Sequence, residues 1–65
     1  MAVDKNIYVL IVDDYQTMRG VIRNLVNQSG FHNTIEAATT DEAFEKLKEH
    51  HCGLVIFDWR TGPMA

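Results

Sequence analysis

Ile7-Tyr8-Val9-Leu10-Ile11-Val12-Asp13-Asp14 decides the fold: an unbroken apolar run rich in β-branched side chains, ended at once by two acids. A run of this kind belongs to a strand covered on both faces, as in a parallel sheet. Downstream, Met18, Val21, Ile22, Leu25 and Val26 recur at spacings of three and four. That spacing predicts a helix with these residues on one inward stripe and with Arg19, Arg23, Asn24 and Asn27 off it. Arg19 and Arg23 are expected to face solvent, with reach to the acidic strand end as the alternative for Arg19. Gly30 is the expected stop, because glycine takes the left-handed conformation without penalty, and Phe31 can then fold back on the last turn.

Thr34 to Ala38 is a shorter strand candidate. Thr39, with Glu42 three residues later, reads as a capping box opening a helix to about His51, with Ala43, Phe44 and Leu47 facing inward. Gly53 is expected to break the chain before a second fully apolar strand, Leu54-Val55-Ile56-Phe57, which ends on Asp58. The order is β-α-β-α-β, and right-handed crossovers then make the sheet parallel. No Gly-x-Gly-x-x-Gly follows the first strand, where Asp-Asp-Tyr-Gln-Thr-Met stands, so a dinucleotide-binding loop is excluded. The flavodoxin-like doubly wound order remains, giving 2-1-3 for these three strands.

Composition narrows the function. The chain has 65 residues, net charge -3 and a pI near 5.4. With no basic stripe to neutralise phosphates, nucleic acid is not an expected partner. No apolar run approaches the ~20 residues that span a bilayer, and the N-terminus lacks a signal peptide's apolar stretch, so no membrane association is expected. The single cysteine, Cys52, cannot form an internal disulfide, which fits a reduced, cytoplasmic protein.

In the order 2-1-3, strands one and three are neighbours about 4.8 Å apart and run the same way. Asp13, Asp14 and Asp58 therefore gather at the switch point, where open α/β sheets bind ligands. Three carboxylates this close repel one another unless a cation neutralises them. Oxygen-only ligands suit a hard ion, and Mg²⁺ fits better than a softer metal. Such an ion would also let an anionic carboxylate attack an anionic phosphate.

Val12-Asp13-Asp14-Tyr15-Gln16-Thr17-Met18-Arg19, Arg23-Asn24-Leu25, Gly30-Phe31, Glu36-Ala37, Ala43-Phe44, Lys46-Leu47 and Asp58-Trp59 together carry a resemblance. Over nearly the whole chain, and without gaps, they resemble the chemotaxis-type (CheY-like) receiver domains of response regulators. The resemblance implies a truncated flavodoxin-like α/β fold, the N-terminal half of a receiver domain over residues 1–65. It also implies a role in two-component signalling as a phosphoacceptor domain rather than an enzyme. Asp58 would accept phosphate from a histidine kinase, Asp13 and Asp14 would bind Mg²⁺ with it, and the backbone carbonyl of Arg60 would complete the protein ligands.

Arg60 stands where the family pattern has Asn, which changes the local charge but not a carbonyl ligand. Gly62-Pro63 and Thr40 also depart from the pattern. The family's hydroxyl residue after strand four and lysine after strand five have no counterpart before Ala65, which implies slower transfer. The open edge of the third strand implies self-association, for example two third strands paired antiparallel about a two-fold axis to give 2-1-3-3′-1′-2′.

Other readings account for less of the sequence. Asp14 could cap the first helix, but capping explains one acid and not three. His50-His51-Cys52 lacks zinc-site spacing and reads as a solvated helix end. A Mg²⁺-dependent phosphohydrolase also uses strand-end aspartates, but favours Asp-x-Asp where this pair is adjacent. A non-phosphorylated interaction module is the alternative that phosphate incorporation would separate from the leading one.

Overall fold

A computed structural model describes residues 4–58. Five elements alternate along them: β1 (Tyr8–Val12), α1 (Gln16–Gln28), β2 (Thr34–Ala37), α2 (Thr40–Glu49) and β3 (Cys52–Phe57). The sheet is parallel in the order β2-β1-β3, as the β-α-β-α-β pattern implies. β1 is central. Val9, Leu10 and Ile11 are wholly buried and Val12 nearly so, which is why this strand reads as a continuous apolar run. Burying each such side chain contributes about 1.5–3 kcal/mol, and Leu10→Ala would cost about 2–5 kcal/mol.

On one face, Leu10, Val12, Ala37 and Ala43 form the core cluster, with Ile35 and Cys52 packed against it. α2 starts where the capping box placed it: the Thr39 hydroxyl accepts the Glu42 N–H at 3.1 Å. It ends at Glu49 rather than His51, and the ring of the following His50 packs 5.2 Å from that of Tyr8. Only Ala43 of its expected inward residues is buried; Phe44 and Leu47 are exposed, correcting that expectation. α2 packs on β1 and β2, and Val55 and Phe57 of β3 stay half-exposed.

α1 ends in a Schellman arrangement. Gly30 takes φ +99°, its N–H donates to the Asn27 carbonyl, and the Phe31 N–H reaches the Val26 carbonyl. The stripe on α1 was expected to be core, yet Met18, Val21 and Leu25 are half-exposed and no α1 residue is fully buried. The helix lies over β1, and an open apolar groove of about 350 Å³ separates it from Leu54 and Ile56 of β3.

Gly53 was expected to precede the third strand; instead it lies within β3, where the register with β1 shifts between Tyr8 and Val9. A Cβ at Gly53 would stand 2.8 Å from the Ile7 Cβ, so glycine here permits close approach of the chain at a bulge.

Candidate metal and phosphoacceptor site

The parallel ladder between β1 and β3 pairs Val12 with Phe57 as its last register position. Each strand then releases an acid at the same end of the sheet. Asp13 follows Val12 and Asp58 follows Phe57, and the Asp58 N–H donates to the Val12 carbonyl at 2.9 Å. Asp14 comes next on the β1 side. One carboxylate oxygen from each of the three lies within 4.8 Å of the others, a span that a single cation can bridge. They line a cleft of about 270 Å³ with Tyr15 and Met18.

The three acids differ in setting. Asp13 is 2% exposed, Asp58 intermediate and Asp14 exposed. Asp13 is fixed through its main chain and its side chain: its N–H donates to the Ala37 carbonyl at 3.1 Å, and its Oδ1 accepts the Tyr15 N–H at 2.9 Å. Asp14 does not cap α1, whose start has no side-chain cap hydrogen bond; the Asp13 bond to the Tyr15 N–H is a local Asx-type turn ahead of the helix. Tyr15 occupies the N-cap position without a capping side chain of its own. Arg60, whose carbonyl was the fourth expected ligand, and Trp59 lie outside the described residues.

Of the two arginines expected in solvent, Arg23 keeps 43% of its side chain exposed, whereas Arg19, at 16%, takes the alternative of reaching the acidic end, at the Asp13 backbone. Arg19 Nε donates to Glu36 Oε1 at 3.2 Å, Arg23 Nη1 donates to Glu36 Oε2 at 3.1 Å, and Arg19 Nη1 reaches the Asp13 backbone carbonyl at 2.8 Å. The signal for this network was available. Glu36 is an acid in a short strand beside the buried Ile11, and two arginines stand four residues apart on the preceding helix.

Residues 9–64, most of the chain, match the family model described as "Response regulator receiver domain". Over 61 residues the chain is 42% identical to "Chemotaxis protein CheY-3" of Vibrio cholerae, an alignment covering 94% of this chain and 47% of that protein. Over 57 residues it is 41% identical to "Chemotaxis protein CheY" of Pseudomonas aeruginosa, covering 88% and 46% respectively. The chain spans about half the length of these curated relatives. The parallel order β2-β1-β3, the acids at its C-terminal end and the family match agree: this chain belongs to the response regulator receiver domain family.

Proposed function

We propose that residues 1–65 are the N-terminal half of a receiver domain in two-component signalling, in which Asp58 accepts a phosphoryl group from a histidine kinase with the help of Mg²⁺. The observation that supports this most is the convergence of Asp13, Asp14 and Asp58, from two adjacent parallel strand ends, to within 4.8 Å. The donor set is anionic and all oxygen, which suits a hard divalent ion. Asp13, Asp14 and Asp58 would hold it, joined by the Arg60 carbonyl that the family resemblance implies. Bound there, Mg²⁺ supplies charge neutralisation between the attacking carboxylate and the phosphoryl oxygens.

The chain's own part is attack and positioning. An Asp58 carboxylate oxygen forms the new O–P bond while the P–N bond to the kinase's phosphohistidine breaks, the electron pair staying on the imidazole nitrogen. The bond from the Asp58 N–H to Val12 fixes the nucleophile's main chain, and the bond from the Tyr15 N–H orients the Asp13 carboxylate. The domain is a phosphoacceptor in signalling, not a turnover enzyme. Its proposed setting is the cytoplasm, where a lone thiol such as Cys52 stays reduced.

Intact mass after incubation with acetyl phosphate and Mg²⁺ tests this reading. One added phosphoryl group that requires Mg²⁺ and is missing in Asp58→Asn is the expected result; equal labelling of Asp58→Asn would refute it.

A second reading rests on β3. It is the outer strand of the described sheet, and Leu54, Val55 and Phe57 are each over 40% exposed. Such an edge pairs with another strand. We propose that the 65-residue chain, on its own, self-associates through it.

A further inference from the structure

We infer that Arg19 is a positioning residue for the metal site: it ties the main chain of Asp13 to Glu36 and thereby sets where the Asp13 carboxylate stands. This inference rests on the proposal that Asp13 is a metal ligand. Asp13 is 2% exposed and lies one residue past the end of β1. A buried carbonyl needs a donor. Arg19 supplies one from Nη1 at 2.8 Å, from the second turn of α1.

The other side of the guanidinium is anchored as well. Its Nε donates to Glu36 Oε1 at 3.2 Å, and Arg23 Nη1 holds the second carboxylate oxygen of Glu36 at 3.1 Å. The Arg19 side chain is 16% exposed, so the fork is enclosed and its geometry defined. A planar guanidinium can serve a carbonyl and a carboxylate at once in a fixed relation, which a lysine ammonium cannot. The positional link runs from Glu36 on β2, through Arg19 on α1, to Asp13 at the site; Arg23 bonds Glu36 and makes no bond to Asp13. Partners that orient a ligand from behind affect metal affinity by about 10–100-fold.

Charge and position pull in opposite directions here, which makes the role measurable. Arg19→Gln removes a positive charge bonded to the Asp13 carbonyl at the acidic end of the sheet, so a purely electrostatic role for Arg19 would make Mg²⁺ bind more tightly in the variant. A positioning role makes it bind more weakly. Arg23→Gln is the matched control. It removes the same charge and the same kind of bond to Glu36, but Arg23 does not bond Asp13.

The experiment is calorimetric titration of each purified variant with Mg²⁺ alone, alongside its thermal melt. A loss of affinity of about 10-fold or more in Arg19→Gln, with Arg23→Gln within about twofold of the parent, is expected. Parental or tighter binding in Arg19→Gln overturns the inference, as does an equal loss in Arg23→Gln. Should Arg19→Gln not fold, Arg19→Lys carries the test, because it keeps the charge but not the fork. Weakened binding in Arg19→Lys supports the role and parental binding overturns it. Asp13→Ala is run in parallel: if it binds Mg²⁺ like the parent, the metal-site reading itself fails, whereas its loss beside an unaffected Arg19→Gln overturns the inference about Arg19 alone.

Discussion

The backbone N–H of Asp58 donates to the carbonyl of Val12 at 2.9 Å, so the end of β3 is locked one residue from Asp13 at the end of β1. A parallel ladder makes this contact insensitive to the side chains involved, and it sets the spacing of the acids before any ion arrives.

Mg²⁺ binding is therefore expected to depend on Asp13 and to be sensed by Trp59, the chain's single tryptophan, which follows Asp58 in the sequence. Titration with Mg²⁺ should change the fluorescence of the parent and leave Asp13→Ala unchanged. A flat titration in the parent counts against the metal assignment.

The strand-end acids were legible in the sequence because a central parallel strand must be apolar along its whole length. Val9 to Val12 announce such a strand, and whatever follows it sits at the ligand-binding end. The helical stripes were legible as stripes but not as core. How deeply Leu25, Phe44 and Leu47 are buried depends on which elements lie against each helix, and helical periodicity carries no such information. Solvent was the first reading for Arg19, with the acidic end as its alternative, for a similar reason. Its two acceptors, Asp13 and Glu36, are brought together by strand register and not by sequence spacing. Gly53 read as a break because glycine punctuates chains, whereas its role depends on Ile7, far away in sequence.

That close approach gives a stability prediction. Gly53→Ala would drive a Cβ into backbone-anchored atoms of Ile7, and overpacking of this kind costs about 1–3 kcal/mol. Denaturant unfolding should move to a lower midpoint by that amount. An unchanged midpoint would mean the bulge relaxes freely.

The cap at Thr39 is a smaller and separable contribution. Thr39→Ala removes the acceptor for the Glu42 N–H and should destabilise by about 1 kcal/mol, while Thr39→Ser should retain most of it. Chemical denaturation of the three proteins side by side checks the order.

Self-association of the 65-residue chain through β3 should make its melting midpoint rise with protein concentration. Val55→Lys, which places a charge on the half-exposed face of that strand, should shift sedimentation toward a monomer of 7.4 kDa. A compact monomer of that mass with a concentration-independent melt in the unsubstituted chain would exclude the interface.

Of the three clustered acids, Asp58 is the one proposed to carry phosphate. Locating the acyl phosphate tests this proposal most directly. After treatment with acetyl phosphate and Mg²⁺, borohydride reduction converts a phosphorylated aspartate to homoserine, and fragment mass spectrometry then identifies the position. Homoserine at residue 58 alone, and none in Asp58→Asn, is the predicted result; homoserine at Asp13 or Asp14 in the parent would contradict it.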